Sequence, residues 1–289
     1  MRVFSDETLK YSQNFLYNKK LVNKIINKTN LNNNDTVIEI GAGKGCITEA
    51  LIKNTYKIIA IEKDNNLFKE LKFNFKNIEN IKLLNQDILE HDFSKYNNYK
   101  IISNIPFYIT TKIINKILSI NNKPTDMFLI LQKEAAERYV GEPYKKESLK
   151  SIFLKIFYDV KIIYKFNKSD FKPMPNVNIV FVHFNMNQKI DLNDINLFKN
   201  FITYLFMINK NILKTKLNKI FTYHQIKNIS KKINIDQKIT EIQFEQWLYL
   251  FKIFKTEAPM NSKKTVQGYY NKYIKIQSKL DKNYKSRKN

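Results

Sequence analysis

Four consecutive residues, Asn104-Ile105-Pro106-Phe107, carry the chemical groups that a site for a nucleobase amino group requires. The side-chain oxygen of Asn104 and the backbone carbonyl of Ile105 can each accept a hydrogen bond from one amino N–H. Accepting both bonds favours a more tetrahedral nitrogen, whose lone pair is then available as a nucleophile. Pro106 fixes the backbone, and the Phe107 ring can stack on the base. The tetrad predicts chemistry at an exocyclic base nitrogen, usually adenine N6, unless it is only a turn that ends a strand.

A glycine-rich turn lies upstream, in the segment Glu39-Ile40-Gly41-Ala42-Gly43-Lys44-Gly45. Gly41 and Gly43 let the backbone turn sharply and approach a ligand closely. The dinucleotide pattern requires a third glycine at the position of Cys46, and the phosphate-loop pattern also fails. A nucleoside ligand without phosphates, S-adenosylmethionine, fits the remaining pattern. The other interpretation is a turn that merely requires glycines.

Two acidic residues, Glu62 and Asp87, follow the next two predicted strands. A carboxylate at Glu62 can accept both ribose hydroxyls of a nucleoside, and one at Asp87 can accept an adenine amino group. Each also has a structural interpretation, an acid at a helix N-terminus for Glu62 and an N-cap for Asp87. Because ligands bind at the carboxyl ends of parallel strands, we expect Gly41, Glu62 and Asp87 to face one site.

Two more segments are candidates for the same site. Gln13-Asn14-Phe15-Leu16 precedes the first predicted helix and can cover a cofactor pocket, or it is an ordinary amphipathic segment. Phe171 precedes Pro173 and Pro175 in a proline-stiffened loop. Its ring is a candidate to hold the base opposite Phe107, or it is a core aromatic residue.

The elements that must position these residues alternate between short apolar strands and helical segments, which predicts a parallel sheet with crossover helices. Residues 160–166 and 177–184 are expected to close the sheet as a strand pair with no helix between them. Helical spacing dominates later, so we expect a catalytic domain over 1–185 and a small all-helical domain over 186–258. A capping box from Thr240 to Gln243 is expected to start its last helix. The basic tail, 259–289, is expected to be loosely ordered and either binds phosphates or has no specific role.

The composition bounds the class of protein. The 289 residues carry a net charge of +24, which favours a polyanionic partner such as RNA, DNA or an anionic membrane. One cysteine and three widely spaced histidines argue against a disulfide and against a metal site. The start of the chain has no apolar signal segment, and no window approaches 18 apolar residues. We therefore expect a cytoplasmic protein that spans no membrane. We also expect a monomer.

Over residues 11–184 the chain resembles the rRNA adenine N6-methyltransferases. The segments quoted above carry the resemblance, together with Phe171-Lys172-Pro173-Met174-Pro175-Asn176-Val177. The resemblance implies a Rossmann-like α/β fold that binds S-adenosylmethionine, with a small C-terminal all-helical domain that holds RNA. It implies a shared set of cofactor-binding residues, which are Asn14, Leu16, Gly41, Glu62, Asp87 and Asn104.

Ile105, Phe107 and the following Thr110-Thr111-Lys112 are more similar to the erythromycin-resistance (Erm) branch, as is Phe157-Tyr158-Asp159-Val160-Lys161. That branch methylates one adenine of 23S rRNA, and the resemblance implies macrolide, lincosamide and streptogramin B resistance. The main alternative is the small-subunit (16S) rRNA adenine dimethyltransferase, which typically carries Asn-Leu-Pro-Tyr. A non-catalytic RNA-binding factor on the same fold is a second alternative. DNA adenine methylation is a third, but Ile105 departs from the two prolines usual there.

Overall fold

The computed structural model describes residues 14–55 and 57–286, and it describes side chains as far as residue 279. In this structure the apolar runs of the first half of the chain form strands. Gln13 of the first candidate segment lies outside the described residues. The strands in chain order are β1 (Phe15–Leu16), β2 (Thr36–Ile40), β3 (Lys57–Glu62), β4 (Ile81–Asn85), β5 (Tyr99–Asn104), β6 (Asp126–Gln132), β7 (Tyr158–Lys165), β8 (Phe171–Lys172) and β9 (Ile179–Met186).

Seven of these strands make one sheet, in the order β4-β3-β2-β5-β6-β9-β7. The first five of that order are parallel, and β9 pairs antiparallel with both β6 and β7. The expected parallel sheet and its closing strand pair are both confirmed. The short strands β1 and β8 form a separate antiparallel pair, in which Leu16 lies opposite Phe171.

The helices lie between and after these strands. In chain order they are α1 (Lys19–Ile26), α2 (Cys46–Ile52), α3 (Asn65–Asn74), α4 (Thr110–Ser119), α5 (Lys133–Val140), α6 (Leu149–Lys155), α7 (Ile195–Met207), α8 (Leu213–Leu217), α9 (Tyr223–Ser230), α10 (Phe244–Glu257), α11 (Met260–Val266) and α12 (Tyr269–Ser286). No helix in the described part of the chain is both long and apolar enough to cross a membrane.

The centre of the sheet is buried on both faces, as parallel strands covered by crossover helices must be. Ile58, Ile59 and Ile61 of β3 are almost inaccessible to solvent, as are Ile101 and Ile102 of β5. Branched aliphatic side chains pack well on such a pleated surface. The buried central strands therefore hold the residues at their carboxyl ends in fixed positions.

The chain divides into two compact units. One contains described residues 14–137 and 158–187, and so includes every strand of the main sheet. The other contains 138–157 and 188–286 and is helical. The expected catalytic domain, 1–185, includes residues 138–157, but the folded chain groups that segment with the C-terminal helices. Its local sequence gave no sign of this because the grouping depends on long-range packing.

Two expectations about the C-terminal part need correction. The helix expected to begin with a capping box at Thr240 begins at Phe244, with Gln243 as N-cap and Gln246 as its reciprocal partner. Thr240 lies instead in a 3-10 turn, Ile239–Glu241. The tail expected to be loosely ordered forms α11 and α12 over most of its length, and residues 287–289 lie outside the described part.

Candidate functional site

A cavity of about 770 Å³ lies at the carboxyl ends of β2, β3 and β5, where parallel strands present their terminal residues to ligands. Its size is within the range of small-molecule and cofactor sites. Most of the expected site residues line it, and they are Asn14, Gly41, Gly43, Glu62, Asp87, Asn104, Ile105, Pro106 and Phe107. Every one of the residues that line the cavity lies in the unit that contains the sheet.

The glycine turn follows β2 in a backbone conformation that favours glycine. Gly41 has φ +68°, and a Cβ built there would meet no atom within 4 Å. Gly43 has φ +56°, and a Cβ there would lie 2.9 Å from the Phe15 ring. Gly43 therefore permits close packing against β1, whereas Gly41 leaves open space on the cavity side. A ligand can approach the backbone at Gly41 without meeting a side chain.

Glu62 ends β3 and connects that strand to the glycine turn. Its side chain is buried, with Oε2 accepting the Gly43 N–H at 2.9 Å and Oε1 accepting the Asp64 N–H at 2.8 Å. Each carboxylate oxygen has a further lone pair for a ligand hydroxyl. Glu62 is thus held by two backbone donors in one orientation at the cavity wall, which suits the expected contact with a ribose.

Asp87 follows β4 and is held by two donors. Its Oδ1 accepts the Leu89 N–H at 2.8 Å, and its Oδ2 lies 2.9 Å from the Lys63 Nζ. Partial burial acts to raise the pKa of Asp87, but the Leu89 hydrogen bond and the Lys63 ammonium outweigh it and lower that pKa. Asp87 is therefore ionised at neutral pH and presents an acceptor to the cavity. Sequence reasoning missed Lys63, whose one available signal was its position directly after Glu62.

Asn104 ends β5 with its amide held in a defined orientation. The side-chain Nδ2 donates to the Asn14 carbonyl at 2.8 Å, and β5 itself is fixed by the Ser103 hydroxyl, which donates to the Ile40 carbonyl at 2.6 Å. The Asn104 Oδ1 atom is consequently the part of the amide that can accept a hydrogen bond from a ligand. The contact also holds Asn14 at the cavity wall.

The rest of the tetrad turns the chain from β5 towards α4. Ile105 is buried, Pro106 has φ −56°, and Phe107 begins a 3-10 turn that ends at Ile109. Phe107 lines the cavity while part of its ring packs against the hydrophobic core. The ring is thus supported from behind, and its free surface can contact a planar ligand. Tyr108 also lines the cavity and was not anticipated.

Two candidate residues lie in the hydrophobic core instead of on the cavity wall. Phe171 is 1% exposed, and its ring packs edge-on against Phe166 at 5.3 Å. Leu16, which pairs with it across β1 and β8, is 5% exposed in the same core cluster. The structure therefore corrects the expectation that Phe171 faces Phe107 across a base. Of the two interpretations considered for Phe171, the core aromatic is the one that this arrangement matches.

Glu39, the acidic residue before the glycine turn, is buried within β2 and does not line the cavity. Burial raises the pKa of its carboxyl to about 8, opposed by the hydrogen bond that Thr48 donates at 2.6 Å and reinforced by the Glu62 charge. Glu39 is therefore mostly protonated at neutral pH. Because Thr48 lies in α2, this hydrogen bond joins the strand to the helix on either side of the turn.

The part of the chain that the structure describes contains no group of three or more His, Cys, Asp or Glu side chains placed to hold a metal ion. His91 bonds to the Gln86 side chain at 3.0 Å, and burial lowers the pKa of its ring. His183 bonds to Asp126 at 2.7 Å. Each of these histidines has a hydrogen-bond partner within the fold, and neither lines the cavity.

Comparison with known proteins identifies close similarity to one family. The model of the family described as ribosomal RNA adenine dimethylase matches residues 5–256. The chain is 31% identical over 255 residues to ribosomal RNA small subunit methyltransferase A of Fusobacterium nucleatum, covering 85% of this chain and 97% of that protein. It is 34% identical over 250 residues to an rRNA adenine N-6-methyltransferase of Limosilactobacillus reuteri, covering 86% and 97%.

Solved structures confirm the fold. The 23S rRNA methyltransferase ErmE superposes with a TM-score of 0.77 at 20% identity, covering 84% of this chain and all of that one. A dimethyladenosine transferase from Plasmodium falciparum gives a TM-score of 0.68 at 23% identity, covering 83% and 98%. The expected Rossmann-like sheet with a helical C-terminal region is thereby confirmed.

Proposed function

Because the chain belongs to the ribosomal RNA adenine dimethylase family, we propose that its cavity binds S-adenosylmethionine beside a flipped adenine of 23S rRNA. Membership of the family by itself shows that the protein is an S-adenosylmethionine-dependent rRNA adenine N6-methyltransferase. The observation that carries the proposal is that one cavity brings the glycine turn, the two acidic strand ends and the Asn104 tetrad together.

The residues present fit S-adenosylmethionine. Gly41 leaves space for close approach of a ligand, Glu62 presents a fixed carboxylate, and Asp87 presents an ionised one. In the proposed arrangement Glu62 accepts the ribose hydroxyls and Asp87 accepts the adenine amino group. When bound, the cofactor supplies an electrophilic methyl group on a sulfonium.

The Asn104 tetrad is proposed to hold the adenine that is methylated. The Asn104 Oδ1 and the Ile105 carbonyl accept hydrogen bonds from the two N–H groups of N6. These hydrogen bonds favour a more tetrahedral nitrogen, whose lone pair is less delocalised into the ring. The Phe107 ring stacks on the base, which is worth roughly 1–3 kcal/mol for such contacts. Because the base must leave its helix to reach the cavity, stacking offsets part of the cost of unstacking it. Correct placement of the nitrogen supplies much of the acceleration.

The choice of 23S rRNA is supported by the tetrad itself. Ile105 and Phe107 are more similar to the Erm branch than to the Asn-Leu-Pro-Tyr of the small-subunit branch. The Limosilactobacillus reuteri relative is 34% identical, and its name specifies no subunit. On this proposal the protein confers resistance to macrolides, lincosamides and streptogramin B. The helical unit and the basic surface are proposed to hold the RNA.

A second candidate is methylation of small-subunit rRNA, which is favoured by the name of the Fusobacterium nucleatum relative. Proteins of Ureaplasma urealyticum and Mycoplasmopsis pulmonis with the same name are 30% and 32% identical to this chain. Both candidates place the same reaction in this cavity, and they differ in the RNA that is methylated.

Labelled methyl transfer separates the two candidates. Naked 23S rRNA and assembled small ribosomal subunits, both from a strain without the modification, are offered separately with methyl-labelled cofactor. We expect label in 23S rRNA, and we expect expression of the protein in a susceptible host to raise its erythromycin tolerance. Label confined to small subunits would replace the 23S proposal with the second candidate.

A further inference from the structure

The C-terminal helix α12 lies beyond the part of the chain that matches the family. The family model ends at residue 256, whereas α12 spans Tyr269–Ser286. From Pro259 onwards the sequence contains many lysines, and Asp281 is its single acidic residue. The general activity of the family therefore gives no account of this helix.

The start of α12 is anchored to α7 in the helical unit. The Tyr270 N–H donates to Asn200 Oδ1 at 3.0 Å, and the Tyr269 ring packs edge-on against Tyr204 with centroids 4.8 Å apart. The Lys199 ammonium lies over the Tyr270 ring, 4.9 Å from its centroid. Aromatic and cation–π contacts of this kind hold a helix in a defined position. The helix is therefore a fixed part of the unit.

The anchored helix has two different faces. Tyr269, Tyr273 and Gln277 follow one another at intervals of four residues and are partly buried. Lys272, Lys275 and Lys279 follow at intervals of three and four on a different face and are exposed. Lys282 continues the same spacing in the sequence. At 1.5 Å of rise per residue, these lysines recur about every 4.5–6 Å along the helix axis.

We propose that this lysine face binds the phosphate backbone of the rRNA substrate, at a segment outside the target adenine. Among the described side chains, no carboxylate pairs with Lys272, Lys275 or Lys279. The Lys272 ammonium lies over the Tyr269 ring, 5.5 Å from its centroid, but a ring contact neutralises no charge, so all three lysines can bind a polyanion. Lysine acts on phosphate as a flexible point charge and reads no base sequence. The inference rests on the proposed function, because rRNA methylation is what makes RNA the polyanion that this protein meets.

The test compares two triple variants of the full-length protein. Lys272→Gln, Lys275→Gln and Lys279→Gln together remove three charges from α12 and retain residues that favour helix. The matched control replaces exposed Lys28, Lys53 and Lys57, which lie in the sheet unit at the ends of the strands opposite to the cavity. Circular dichroism verifies that both variants keep their helix content.

Binding to unmethylated 23S rRNA and to an RNA duplex of unrelated sequence is titrated between 50 and 200 mM salt. We expect the α12 variant to bind both RNAs about tenfold more weakly or worse. We also expect the slope of log affinity against log salt to fall in magnitude by about 2–3, because each lysine–phosphate contact contributes close to one. The control variant should retain most of the affinity and slope, and cofactor affinity should be unchanged in both.

Two results would overturn the proposal. One is equal RNA affinity and equal salt slope for the α12 and control variants. The other is unchanged RNA binding by the α12 variant together with loss of binding to vesicles that contain anionic lipid, which would assign the face to a membrane surface. A wild-type protein that transfers no methyl group to rRNA would reject the proposed function alone, since binding is measured separately.

Discussion

The Asn104 amide illustrates how one hydrogen bond determines what a side chain can do. Its Nδ2 donates to the Asn14 carbonyl, so the Oδ1 atom is the group that can accept from an amino nitrogen. Glu62 is fixed in the same way by the N–H groups of Gly43 and Asp64. In both cases a backbone group orients a side chain at the cavity wall before any ligand arrives. Such preorganisation removes part of the cost of binding.

Asp87→Ala should weaken binding of S-adenosylhomocysteine, measured by calorimetry, by about 10–100-fold. The reason is the loss of a charged acceptor, for which a hydrogen bond is worth roughly 1.5–3 kcal/mol. Asp92→Ala is a suitable control because Asp92 caps a short turn and does not line the cavity. Unchanged affinity in the Asp87 variant would remove this residue from the proposed site.

Phe107→Ala should lower kcat/KM for RNA methylation by about tenfold or more and leave cofactor affinity nearly unchanged. The stacking contribution of roughly 1–3 kcal/mol sets the scale of the loss. Phe73→Ala removes an exposed ring of α3 that does not line the cavity, and it should be neutral in both measurements. Equal losses of methylation and cofactor affinity in the Phe107 variant would argue against base stacking.

Gly41→Ala should weaken cofactor binding, measured by calorimetry, more than it lowers the melting temperature. The new methyl group projects into space that the structure leaves open at the cavity, and φ +68° strains any L side chain. Gly268→Ala is matched in strain, with φ +83° and equally open surroundings, but it lies outside the cavity. If both variants lose cofactor affinity equally, backbone strain and not occupation of the cavity explains the effect.

Among the elements, β2 and α2 are joined across the glycine turn by the Thr48–Glu39 hydrogen bond at 2.6 Å. The buried Glu39 carboxyl keeps its proton to a pH of about 8, above its ordinary value of 4.5. The folded state therefore binds a proton that the unfolded chain releases as pH rises above 4.5. This group stabilises the fold fully below pH 4.5, and its contribution is lost as pH rises to about 8.

Glu39→Gln should remove that pH dependence while keeping an oxygen to accept from Thr48. Relative to the wild type, the free energy of unfolding of the variant should rise with pH between about 4.5 and 8, by roughly 1.4 kcal/mol per pH unit. Denaturant titrations at several pH values measure the difference. Glu49→Gln, at the surface of α2, is the control. A constant difference between wild type and the Glu39 variant across this range contradicts a buried, protonated Glu39.

Local sequence predicted the strands and their terminal residues well, because apolar runs and glycine turns are short-range patterns. Gly41, Glu62, Asp87 and Asn104 were each expected at a strand end, and all four line one cavity. The sequence left Phe171 either at the base or in the core, because its burial depends on pairing with Leu16, more than 150 positions away in the chain. The start of α12 is held by packing on α7, which a reading of local composition does not reveal.

Over the whole molecule, charge and architecture agree with a function on RNA. The chain has a net charge of +24. Its sheet unit contains the cavity, and its helical unit contains the lysine-rich helix α12. A basic surface attracts nucleic acid from a distance and makes binding sensitive to salt. The family comparison confirms the class of reaction.

The position of the transferred methyl group tests the central claim most directly. Labelled rRNA is digested to nucleosides after reaction with the wild type, with Asn104→Ala and with Asn66→Ala, a residue that also lines the cavity but lies outside the tetrad. We predict label in N6-methylated adenosine for the wild type and the Asn66 variant, and a loss of at least a hundredfold for Asn104→Ala. Label on another base or another adenine nitrogen, or full activity of the Asn104 variant, would contradict the account.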